Sequence, residues 1–234
     1  MFDGHFRADA ERTLKPVGHK LKRAGVTADH LTVLGVLMAV GAAVAIGAGA
    51  LRLGLVLLVL TALPDVLDGA VAKASGTASP RGAFFDSTAD RFTDALLLGG
   101  VAWHLSTTQP GRIAVLPLAV LAASMLISYE RAKAESLGFD ARGGLMERAE
   151  RLIVLGLGLL FNQLLVPILW VMLVGTLFTA ATRFAKVWSQ ATDAVPVLAA
   201  RRANSRSRVP RRDRRVARSS TRQFRRRSQL RPPR

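Results

Sequence analysis

Four aspartates stand in two pairs within otherwise apolar sequence, Asp65 with Asp68 and Asp86 with Asp90. On a helix, spacings of three and four leave the partners of each pair on one face, about 60° and 40° apart. Carboxylates brought together at low dielectric repel one another, so a cation must neutralise them. The cluster offers oxygen donors only, and the chain contains no cysteine. Such a set selects a hard divalent ion, Mg²⁺ or Mn²⁺, most naturally two ions shared among the four acids. Ions held this way clamp phosphate oxygens during displacement at phosphorus. A purely structural ion-pair network with Lys73, Arg81 and Arg91 is the competing reading, and it is short of bases.

A second constellation is cationic. Arg131 and Lys133 lie in one polar stretch, Arg148 and Arg151 in another, and Arg183 follows the last apolar run. An acceptor that carries its own phosphate needs such a set, whereas serine or choline does not. The alternative use of these residues is to anchor helix ends at the membrane and pair locally with Glu147 and Glu150.

The elements that must position these groups are membrane helices. Half of the 234 residues are hydrophobic and the mean hydropathy is +0.27. Residues 31–50 carry no charge, and about 20 apolar residues cross a ~30 Å hydrocarbon core. Five further spans are expected: 53–71, which takes on Asp65 and Asp68; 83–105, with Asp86 and Asp90 in its first half; 113–129; and two within about 146–182, turning at Asn162 and Gln163. Lys and Arg gather at alternate span ends, which places both termini and the acids on the cytoplasmic side of a multi-pass cell-membrane protein. Backbone hydrogen bonding in lipid makes these spans helical. The expected fold is therefore an all-α membrane protein with six transmembrane helices. Residues 1–28 are expected to form an interfacial amphipathic segment and 29–190 the helical domain. Residues 191–234 read as a disordered basic tail, because from residue 199 onward there are fifteen arginines and a single aspartate. Membrane lipid is a better partner for that tail than nucleic acid.

The string Asp65-x2-Asp68-Gly69-x2-Ala72-Lys73-x8-Gly82-x3-Asp86-x3-Asp90 resembles the signature of the CDP-alcohol phosphatidyltransferases. Its one departure is Lys73, where the family has Arg; the charge is kept and the bidentate fork is lost. The resemblance implies that Asp65, Asp68 and Asp86 bind metal, and that Asp90 binds metal or deprotonates the acceptor. It implies that Gly69, Lys73 and Ser79 line the site for CDP-diacylglycerol, and that Asp29, His30, Leu31 and Thr32 close over the nucleotide. It also implies CMP as by-product and a homodimer. The stretches around Arg131 and Arg148 look like those of the actinobacterial branch that accepts inositol phosphate. Glycerol phosphate, the acceptor of the phosphatidylglycerophosphate-forming branch, is the close competitor. From another class, a divalent-cation transporter also uses intramembrane acids, but it wants them near the midplane and has no use for Gly69.

Overall fold

The computed structural model describes residues 27–62 and 79–207. The described residues are all helical outside their loops: α1 (Ala28–Gly47), α2 (Leu51–Ala62), α3 (Pro80–Thr108), α4 (Val115–Ser136), α5 (Arg148–Leu160), a 3₁₀ turn (Asn162–Leu164) and α6 (Leu165–Ser207). Three of them, α1, α4 and the 162–192 stretch that carries most of α6, are long and apolar enough to cross a membrane. Their outward faces support that reading. Val33, Leu37, Val40 and Val44 form an exposed stripe along α1, and Val171, Val174, Leu177 and Phe178 do the same on α6. An apolar exterior on a helix that also packs an apolar interior is a lipid-facing surface.

The starts of α1 and α3 are written in their caps. Thr27 accepts from the His30 amide while His30 Nδ1 accepts from the Thr27 amide, a reciprocal capping box that fixes the entry to α1. Ser79 caps α3, with Pro80 at its first helical position. α1 and α3 run parallel and touch backbone to backbone. A Cβ on Gly100 would lie 2.6 Å from the Ala43 carbonyl oxygen, so only glycine permits this approach. Ile46, Leu97, Val101, Leu105, Val120, Leu155, Leu159, Leu165, Leu169 and Met172 fill the core towards the end of the bundle away from the aspartates. The opposite end is polar, and there the chemistry-bearing residues gather.

Several boundaries differ from the sequence reading. The expected helix at residues 1–28 and the acid pair Asp65 and Asp68 lie outside the described residues, apart from the cap at Thr27 and Ala28. The tail expected to lose structure at residue 191 instead continues α6 as helix to Ser207. Ala191, Ala194, Ala199 and Ala200 are strong helix formers that extend the preceding helix, and composition alone hid them behind the arginines. Residues beyond 207 lie outside the described set. α5 begins at Arg148 and, at 13 residues, is about 20 Å long, less than a full crossing. Phe161 leaves helical torsions with φ −112° and ψ 81°, which ends α5 at the turn expected near Asn162 and Gln163. Chain contacts divide the protein after Lys186, so the helices of the site belong to the first unit.

Candidate active site

Asp86 and Asp90 project from one face of α3 into a cavity of about 20 Å³, which they line together with Thr32 of α1, Thr61 of α2, Thr93 of α3 and Arg148 of α5. That volume holds one water molecule or one bare ion. The side-chain oxygens of its lining residues are carboxylates and hydroxyls, the donor chemistry of a hard divalent cation, beside the Arg148 side chain. Among the described residues no three acidic or imidazole side chains form a ligand set. The two that would complete it, Asp65 and Asp68, fall outside those residues, as do Gly69 and Lys73. Asp90 is held by guanidinium groups: Arg148 Nη1 stands 2.8 Å from its Oδ1 and Arg91 Nη1 3.6 Å from its Oδ2.

The first turns of α1 and α3 sit side by side. Asp29 pairs with Arg81 at 3.3 Å, an exposed contact that joins the segment expected to close over the nucleotide to the helix carrying the acids. His30 serves the capping box, Leu31 is buried, and the Thr32 hydroxyl donates to the Ala28 carbonyl. The Ser79 hydroxyl accepts from the Gly82 amide at 3.1 Å. A Cβ on Gly82 would meet Ser79 Oγ, its helix's own cap, at 3.4 Å.

The five candidate cations fall into two groups. Arg148, Arg151 and Arg183 are fixed. Arg151 is buried, with Nη2 2.8 Å from Asp94 Oδ2 and Nη1 donating to the Met146 carbonyl at 3.1 Å. Arg183 is buried too; it donates to the main-chain oxygens of Ile127 and Gly143, each at 2.9 Å, and stands 3.5 Å from Glu147. Arg131 and Lys133, at the end of α4, are exposed, and Arg131 bonds Glu135 one turn on. Arg183 nevertheless lies within electrostatic range of both Arg131 and Arg151. Arg148 and Arg151 stand directly against the α3 acids Asp90 and Asp94.

Sequence reading assigned no role to Asp94, Thr61 or Thr93. Asp94 did leave a signal, because it continues the four-residue spacing of Asp86 and Asp90. The contact between Asp140 and Lys186 left none, since 46 residues separate them. Asp140 Oδ2 accepts from Lys186 and its Oδ1 from the Arg142 amide, which ties the α4–α5 loop to α6. These bonds, that to Lys186 foremost, hold the Asp140 carboxyl below its ordinary range. A depressed folded-state value means that the contribution is complete above the unfolded value of about 4 and is lost as pH falls through the folded one. Protection of residues 138–146 against hydrogen exchange should accordingly fall only below about pH 4, and Asp140→Asn should show weaker protection above that pH, with the two proteins converging once the wild-type carboxyl is protonated.

Residues 25–181 match the CDP-alcohol phosphatidyltransferase family profile. The chain is 37% identical over 187 residues to a phosphatidylinositol phosphate synthase of Corynebacterium glutamicum, covering 76% of this chain and 85% of the relative. It is 34% identical over 193 residues to an archaetidylinositol phosphate synthase of Methanothermobacter thermautotrophicus, covering 79% and 93%. Among solved structures, the fold matches Mycobacterium tuberculosis phosphatidylinositol phosphate synthase with CDP-DAG bound, with a TM-score of 0.71, 32% identity and coverage of 76% and 94%. The same enzyme in complex with manganese and citrate also gives a TM-score of 0.71, at 31% identity and coverage of 75% and 88%.

Proposed function

The chain belongs to the CDP-alcohol phosphatidyltransferase family, and we infer that it transfers the phosphatidyl group of CDP-diacylglycerol to inositol phosphate, releasing CMP. The observation that carries this reading is the juxtaposition of two neighbouring α3 carboxylates on an ion-sized cavity with three positioned arginines. An acid cluster alone suits many phosphoryl transfers; fixed cations beside it select an acceptor that is itself an anion.

Asp65, Asp68, Asp86 and Asp90 would hold two Mg²⁺ ions, with Mn²⁺ able to replace them. When bound, the metal supplies charge neutralisation to the diphosphate. The remaining steps fall to this chain's own groups. Asp29, His30, Leu31, Thr32, Gly69, Lys73 and Ser79 receive the CDP portion, while Arg131, Lys133, Arg148, Arg151 and Arg183 receive the acceptor phosphate. The acceptor hydroxyl then attacks the phosphorus bearing diacylglycerol, CMP leaves, and Asp90 takes the hydroxyl proton. Holding both reactants beside one carboxylate lowers the entropic part of the barrier.

The polar end of the bundle suits a water-soluble acceptor, and the apolar exterior suits a lipid donor. We place it at the cytoplasmic face of the cell membrane, with six spans, both termini cytoplasmic and two copies per enzyme. Membranes containing the protein, given CDP-diacylglycerol and radiolabelled inositol phosphate, should form labelled lipid and CMP, and EDTA should stop both. Incorporation of glycerol phosphate in preference to inositol phosphate, or turnover indifferent to EDTA, would overturn the assignment.

A further inference from the structure

Between the α3 carboxylates and the acceptor cations lies one acid with no part in the mechanism above. Asp94 is buried on α3, one turn beyond Asp90, and its two oxygens are divided: Oδ2 meets Arg151 Nη2 at 2.8 Å and Oδ1 faces Arg148 Nε at 3.7 Å. Arg148 in turn reaches Asp90 with Nη1. Acid and base alternate along this row, Asp90, Arg148, Asp94, Arg151, from α3 to the first turn of α5. That turn is the positive end of the α5 dipole, so two guanidiniums there require a counter-charge. Glu150 of the same turn is exposed, whereas Asp94 is buried against both.

We propose that Asp94 is a positioning residue for the acceptor, holding Arg151 and steering Arg148 so that their guanidinium forks meet the acceptor phosphate. A fork points where its bonds hold it, and a buried carboxylate is the strongest available tether. When Asp90 turns to the reacting groups, Arg148 is freed towards the acceptor while Asp94 still restrains its other edge. The proposal rests on the inositol phosphate reading above.

Asp94→Asn keeps the shape and removes the charge. In the full-length enzyme it should raise KM for inositol phosphate about tenfold, with KM for CDP-diacylglycerol and the Mg²⁺ half-saturation both within twofold of wild type. Because the effect passes mainly through Arg151, at 2.8 Å against 3.7 Å for Arg148, Asp94→Asn should weaken acceptor binding less in the Arg151→Lys background than in wild type. Asp94→Glu, which retains the charge one methylene out of place, carries the same test if the Asn variant does not survive extraction, and should shift KM in the same direction. An unchanged KM, a uniform loss of kcat with both KM values, or additive effects in the double variant would overturn the assignment. If wild type itself failed to use inositol phosphate, the functional reading would fall instead.

Discussion

Asp90→Asn should leave a folded, membrane-inserted protein whose CMP release is lower by about 10²- to 10⁴-fold, the range that a positioned acid or base contributes. The substitution is close to isosteric, so packing of the partly exposed side chain against Ala89 and Thr93 is kept. The amide oxygen can still accept from Arg148, whose Nη1 stands 2.8 Å from the native carboxylate. What vanishes is the negative charge and the capacity to take a proton. Three losses then coincide: the acceptor hydroxyl has no base, Arg148 faces a neutral group, and the proposed metal site loses one anionic oxygen ligand. The second loss predicts tighter retention of anions at the site, so KM for inositol phosphate should not rise in step with the fall in kcat. Radiolabel transfer measured beside thermal stability in detergent separates chemistry from folding. Turnover within tenfold of wild type would remove Asp90 from the proton-transfer role.

Gly100→Val should lower Tm by about 5 °C or more and reduce activity at least tenfold. A new Cβ would meet the Ala43 oxygen and Cα at 2.6 and 2.8 Å, and both are backbone atoms that no rotamer change can move. α1 must therefore back away from α3, at a cost of about 1–3 kcal/mol for overpacking, which corresponds to several degrees in a chain of this size. Thr32 and the capped first turn travel with α1, so the cavity wall opposite Asp86 and Asp90 shifts, and a displacement near 1 Å can cost about 10²-fold in rate. Gly99 supplies the internal control, because a Cβ there has nothing within 4 Å. Gly99→Ala should stabilise by up to about 1 kcal/mol through helix propensity, while Gly100→Ala should do the reverse. Equal responses at the two positions would show that the helices do not depend on this contact.

How much of this was legible beforehand follows from the range of each interaction. Helix faces, caps and the pairing of Asp86 with Asp90 depend on neighbours within four residues, and the spacing of those two acids along the chain foretold that they would share a cavity. The uncharged runs that form α1 and most of α6 were visible from composition, whereas which of their faces is exposed was not. Contacts that join distant segments were not. Nothing in the spacing of the arginines told that Arg151 meets Asp94 across 57 residues or that Arg131 stays at the surface with Glu135. The continued helix to Ser207 was missed for a different reason: an excess of arginine signals poor burial, but it does not prevent a helix from propagating through alanines.

Arg183 draws its hydrogen bonds from peptide oxygens, those of Ile127 and Gly143, with the Glu147 carboxylate as an ion-pair partner at 3.5 Å. Any amino acid at 127 presents the same oxygen, so the bond itself survives whatever apolar replacement this buried position can pack. Position 143 is the exception, for its φ of +93° suits glycine. Mutational drift should thus be bounded by packing at one supporting residue and by backbone torsion at the other, although both offer the guanidinium an identical atom.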